Sequence, residues 1–132
     1  MALKLLRKEV DICVGHLSPR KVKWINNKED IKVHRVGSTV YQYLGINFLN
    51  PILQKKKVRE ALSHAIARDD LVKYKLLNTV EVATSILSPS FADYRLDVRA
   101  DPYDLKKAND LLDEAGFEMR DNGYRFTLDF KI

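Results

Sequence analysis

A single cysteine, Cys13, is too few for an internal disulfide, so no covalent staple holds this 132-residue chain together. Beside Ile12 and Val14, such a lone thiol reads as a small buried residue. No apolar run reaches the roughly 18 residues that a membrane-spanning helix needs. Residues 1–6 are apolar but for Lys4, and are too short and too soon interrupted by Arg7, Lys8 and Glu9 for an export signal, so an exported parent would have its signal removed here. The glycines, Gly15, Gly37, Gly45, Gly116 and Gly123, stand apart from one another and form no phosphate-binding loop. His16, His34 and His64 share no cysteine or carboxylate at ligand spacing, so no metal site is expected. Ser63 and His64 are neighbours, a poor geometry for a catalytic pair, and His64 is expected on a helix surface. Asp69-Asp70 and Asp110-Asp113-Glu114 read as helix caps and solvated faces. Without a nucleophile, a base or a metal set at usable spacing, the chain is not expected to be an enzyme, and no cofactor is expected.

What is present fits one domain over residues 1–132 with a real core, and the spread of charge and ordinary apolar content exclude disorder. The net charge of +5 would suit an acidic partner. Its excess lies in two short clusters, Arg20, Lys21, Lys23 and Lys55, Lys56, Lys57, Arg59, separated by acidic residues. That pattern reads as solvated surface, and nucleic acid is not expected as a partner.

Along the chain, residues 2–8 read as the last turns of a helix and residues 9–14 as a short strand closed by Gly15 and Ser18-Pro19. Residues 20–26 form a short helix with Val22 and Ile25 inward. Residues 31–36 and 39–48 read as two strands. In the second, Val40, Gln42, Leu44, Ile46 and Phe48 share one face, and Tyr41, Tyr43, Gly45 and Asn47 the other. After Asn50-Pro51, the spacing of Val58, Ala61, Leu62, Ala65 and Ile66 predicts a helix with one buried stripe. Asp69 is expected to cap a short helix ending near Asn78, a residue type that tolerates left-handed angles. Residues 79–102, with Pro89, make a long irregular stretch. Asp104 caps a third helix with Leu105, Ala108, Leu111, Leu112 and Ala115 inward, closed by Gly116. Asp121-Asn122-Gly123 is a turn, and Tyr124, Phe126, Leu128, Phe130 and Ile132 then alternate with polar residues as a half-buried strand. A strand at the last residue and a helix at the second give the expectation of a chain cut at both ends.

Three stretches carry a resemblance. Tyr43-Leu44-Gly45-Ile46-Asn47-Phe48, then Asn50-Pro51 and residues 57–68 (KVREALSHAIAR), resemble a strand ending in Asn, a proline, and a Val-Arg-x-Ala-Leu helix with an Ala-Ile-Asp-Arg end. Residues 103–117 (YDLKKANDLLDEAGF) are similar to Tyr-Asp-Pro-x-x-Ala-x-x-Leu-Leu-x-x-Ala-Gly-Phe, and residues 7–12 to Gly-Glu-Val-Asp-Ile. In this order they resemble the peptide- and nickel-binding proteins of ATP-driven importers. Lys8 stands at a glycine of that pattern, Ala67 at an aspartate and Leu105 at a proline.

The resemblance implies a mixed α/β lobe of the type II periplasmic-binding-protein kind, with a mixed sheet under covering helices, forming part of the C-terminal lobe of a two-lobed protein that closes on its ligand. It implies a peptide or similar small solute as ligand, with Tyr43, Gly45, Tyr41 and Asn47 on the cleft-facing strand. It further implies a membrane permease of an ABC importer and the missing second lobe as partners, and a periplasmic or cell-surface location. The resemblance also implies that the family's acidic clamp for a peptide amino group would fall beyond residue 132. Two other readings stand beside it: the ligand-sensing domain of a transcription regulator with the same fold, and a basic nucleic-acid-binding module whose affinity falls steeply with salt.

Overall fold

The structure, a computed structural model, describes residues 1–15, 17–88, 91 and 99–131. His16, Pro89 and Ile132, which figure in the readings above, lie outside the described residues.

The leucine-rich start forms α1, Ala2–Leu6. The helix is closed by two crossed bonds, Lys8 N–H to Leu5 O at 3.1 Å and Glu9 N–H to Lys4 O at 2.9 Å. This is the Schellman pattern, which needs a left-handed residue after the cap. Here that residue is Lys8, at φ 59°. The glycine that the resemblance places at this position therefore has a backbone reason. Pro19 opens α2, Pro19–Asn26, and buries Ile25 with Val22 half-buried, as the spacing predicts.

The best-packed part begins at Asn50, whose side chain accepts from Ile52 N–H at 2.9 Å and so caps α3, Pro51–Gln54. The chain then turns at Lys55 into α4, Lys56–Ala65. Leu53, Val58, Ala61 and Ala108 are buried where α4 packs against α3 and against α6, Leu105–Glu114. Asp104 caps α6 by accepting from Lys107 N–H at 2.9 Å. Gly116, at φ +81°, closes it with a second Schellman pair, Phe117 N–H to Leu112 O and Gly116 N–H to Asp113 O, both at 2.9 Å.

His64, expected on a helix surface, is instead only 3% exposed. Its Nδ1 lies 2.8 Å from Pro102 O, and its own carbonyl accepts from Asp104 N–H at 2.9 Å. These bonds tie the end of α4 to the start of α6 and rotate the buried stripe toward residue 64, which leaves Ala65 exposed. Leu105, at the first position of α6, is exposed too. Asp69 lies in the first turn of α5, Arg68–Asp70, and makes no capping bond. The chain continues as a π-helical turn, Leu71–Lys75, and ends at Leu77 and Asn78 in left-handed conformation.

The expected type II periplasmic-binding-protein-like lobe, a mixed α/β arrangement with a mixed sheet, is not what forms. Among the described residues there is no strand. The alternation at 39–48 sorts side chains onto two faces, but a strand exists only when a neighbouring backbone runs about 4.8 Å away and pairs with it. Residues 32–46 make no backbone-to-backbone hydrogen bond with any described residue. The turn at 121–123 does form, with Gly123 N–H donating to Arg120 O at 2.9 Å and Arg120 N–H to Tyr124 O at 3.1 Å, yet no ladder continues from it. A lone two-stranded pairing is marginal in water, so alternation alone does not hold these segments. The chain accordingly exposes 11392 Å² for 15.3 kDa. A tightly folded monomer of that mass would expose about 7,100 Å².

Candidate functional site

Tyr41, Tyr43, Gly45 and Asn47 lie on an extended segment that is pinned at both ends. At the far end, Asn47 O accepts from Asn50 N–H at 3.2 Å and Asn47 Oδ1 from Leu49 N–H at 3.0 Å, which makes a tight turn into the capped α3. Phe48 sits under the Arg59 guanidinium, 4.7 Å from its centre. At the near end, Ser38 Oγ accepts from Val40 N–H at 3.0 Å, and Ser88 Oγ donates to Ser38 O at 3.1 Å.

Between these ends residues 40–45 are all exposed. The rings of Tyr41 and Tyr43 pack tilted at 43° with centroids 5.6 Å apart, as residues two apart on one extended face should. They are 42% and 78% exposed. Gly45 and Asn47 are exposed, and the edge of the Tyr43 ring lies beside Gly45. Val40 and Leu44, at the alternate positions, are exposed as well, so the structure brings the two rings together without setting one side of the segment apart from the other.

Three arginines brace the helical unit that follows the segment. Arg59 Nη1 donates to the final carbonyls of α3, Leu53 O at 2.9 Å and Gln54 O at 2.7 Å. Arg68 Nη2 donates to Ser63 Oγ at 2.8 Å and Nη1 to Asp101 O at 3.1 Å, joining the end of α4 to the approach of α6. Arg125 reaches back over the closing turn of α6, donating to Asp113 Oδ1, to Phe117 O and, at 3.0 Å, to Asn109 Oδ1. Its Nε is buried without a partner. Phe117 and Phe126 meet edge to face at 5.1 Å beneath it. The motif Val58-Arg59-x-Ala61-Leu62 carries Arg59 as a visible signal. Arg125 carries none, because strict alternation assigns it to the polar side of a strand.

The basic cluster after Gln54 is internally engaged. Lys55 Nζ donates to Ala115 O at 2.8 Å and lies 4.7 Å from the Phe117 ring centre. Lys57 pairs with Glu114 at 2.9 Å and Lys56 with Glu60 at 3.4 Å. Lysines at the end of α6 also meet the negative pole of that helix. No group of metal-ligating side chains occurs among the described residues. A cavity of about 540 Å³ lies between α1 and α2, lined by Met1, Ala2, Leu3, Arg20, Lys21 and Trp24, and shares no residue with the tyrosine face.

Comparison with known proteins gives a consistent result. The model of the family described as "Bacterial extracellular solute-binding proteins, family 5 Middle" matches residues 1–131. Over 104 residues the chain is 35% identical to "Glutathione-binding protein GsiB" of Escherichia coli (strain K12), covering 79% of this chain and 20% of that protein. The same figures, 35% over 104 residues, hold for the protein of that name from Shigella boydii serotype 4 (strain Sb227). The one from Shigella flexneri serotype 5b (strain 8401) is 34% identical over 105 residues, covering 79% of this chain and 20% of that protein. The chain spans about one fifth of the length of these curated relatives. No solved structure matches.

Proposed function

The chain belongs to the bacterial extracellular solute-binding proteins of family 5, and from that premise we propose that its parent protein is the substrate-binding component of an ABC importer. The family binds solutes and is not a family of enzymes, and its extracellular character puts the parent outside the cytoplasm. This chain would supply part of the C-terminal lobe of a two-lobed receptor, and the ligand would be a peptide or similar small solute held between the lobes. Among such solutes glutathione, itself a tripeptide, comes first, since the relatives cited above bear the name of glutathione-binding proteins. The partners would be the second lobe and the membrane permease.

The observation that supports this most is the pair of exposed phenol rings, Tyr41 and Tyr43, in contact on a segment fixed at both ends. A phenol offers apolar area and one directed hydrogen bond, which suits a peptide. The nucleic-acid reading has less behind it, because Lys55, Lys57 and Arg59 spend their donors on Ala115 O, Glu114 and the carbonyls of α3. The regulator reading sits poorly with an extracellular family.

A thermal-shift series on the full-length protein tests the proposal, with glutathione, di- to pentapeptides, nickel chelates and haem as probes. Glutathione or a short peptide at a hundredfold excess over its Kd should stabilise by about 2.7 kcal/mol. A melting temperature that none of the probes moves would refute the proposal.

A further inference from the structure

The two basic clusters of the chain differ in what occupies their charges. Lys55, Lys57 and Arg59 direct theirs to Ala115 O, Glu114 and the carbonyls that end α3. Arg20, Lys21 and Lys23 stand within four residues of one another on α2, and all three are exposed. None of them makes an ion pair or a side-chain hydrogen bond with a described residue. α2 holds no acidic residue, and Asp30, which follows it, is paired with Lys8. Three cations kept this close without a counter-charge repel one another, and an anionic partner relieves that.

Apolar side chains lie among these cations. Trp24 is 44% exposed and shares a row of α2 with Arg20, four residues earlier. The Lys28 ammonium lies 5.7 Å from its ring centre. Arg20, Lys21 and Trp24 form one wall of the cavity of about 540 Å³, and Leu3, 60% exposed, stands on the other. A carboxylate-rich protein surface would match the cations and leave Trp24 and Leu3 in water. A surface with phosphates at its boundary and hydrocarbon beneath matches both, because indole settles at the headgroup level and basic residues beside it meet anionic lipid. We infer that α2 and the start of α1 form a docking surface for an anionic phospholipid membrane. Arg20, Lys21 and Lys23 meet the lipid phosphates, while Trp24 and Leu3 enter the headgroup layer. The extracellular character of the family puts a bilayer surface within reach. The surface shares no residue with Tyr41 and Tyr43, so the inference does not depend on which solute the protein binds.

The test sediments the full-length protein, produced without lipid attachment, with vesicles of phosphatidylcholine alone and of phosphatidylcholine mixed equally with phosphatidylglycerol. Binding should be confined to the anionic vesicles and should weaken as the screening length falls from about 10 Å in about 0.1 M salt to about 3 Å in about 1 M. The double variant Arg20→Ala, Lys21→Ala should partition about thirtyfold less, at about fivefold for each cation removed. Trp24→Ala should lose about tenfold, as expected when roughly half of its exposed apolar area leaves water on docking. Lys73→Ala with Lys75→Ala, which takes the same charge from other exposed lysines, should change partitioning by no more than about twofold. The exchange Arg20→Lys with Lys21→Arg keeps both charges and should bind as the wild type does. Wild-type protein that ignores anionic vesicles, or binds neutral ones equally well, overturns the inference. An equal loss in the Lys73 and Lys75 variant overturns it too, by reducing the effect to net charge. Salt-sensitive binding to polyglutamate that exceeds binding to the vesicles and survives Trp24→Ala would give the surface to an acidic protein instead, and would likewise overturn it.

Discussion

The α3–α4–α6 unit and the segment from residue 32 to 47 are built from the same kinds of residue, yet only the first is held by its own chain. In the helical unit nearly every signal is local. Asn50 and Asp104 cap helices that begin one residue later, Gly116 closes α6, and the side chains that meet are spaced at one helical period. In the extended segment the backbone groups of residues 32–46 have no described backbone partner, and its apolar side chains Val40 and Leu44 stand exposed. A helix satisfies its backbone internally, whereas an extended chain depends on another segment to do so.

Removing the strongest tether of the helical side should widen the contrast most. In Arg125→Ala the Phe117 carbonyl, Asp113 and Asn109 all lose a donor from a side chain that is only 10% exposed. Urea unfolding of the full-length protein should register a loss of about 3 kcal/mol. A loss below about 1 kcal/mol would mean that water replaces the guanidinium and that α6 is held by packing alone. A smaller effect of opposite sign comes from α1. Lys8 adopts φ 59° at the residue that closes the helix, and its ion pair with Asp30, at 3.7 Å between exposed groups, offsets little. Lys8→Gly should therefore stabilise by about 0.5–1 kcal/mol, visible as a raised urea midpoint with an unchanged slope. The smallest effect on stability is expected at Tyr43. With its ring 78% exposed, Tyr43→Ala should shift stability by no more than about 0.5 kcal/mol while weakening ligand binding. A large destabilisation there would blur the distinction between the two regions.

The same distinction governs how far the sequence could be read. The caps at Asp104 and Gly116, the helix spacing from Val58 and the turn at 121–123 are all local, and the structure shows them. The inward stripe of α4 is legible except at its end, because the bond from His64 to Pro102 joins residues 38 apart, and helical periodicity carries no information at that range. The sheet expected from residues 39–48 and 124–132 is absent among the described residues, since alternation tells which side chains share a face and says nothing of a partner. For the candidate site, the grouping of Tyr41 with Tyr43 follows from period two alone. The arginines that brace the frame are less visible, because each binds backbone carbonyls that no side-chain pattern announces.

The pairing of His64 with Pro102 and Asp104 reaches beyond the two helices it joins. The chain leaves the helical unit at Ala65 and re-enters it at Asp104, and the two points are held together by the bonds of His64 and Arg68. Whatever length of polypeptide runs between those points is an excursion whose cost of closure grows only with the logarithm of its length. A change of length within it should therefore cost the unit that starts and ends it little.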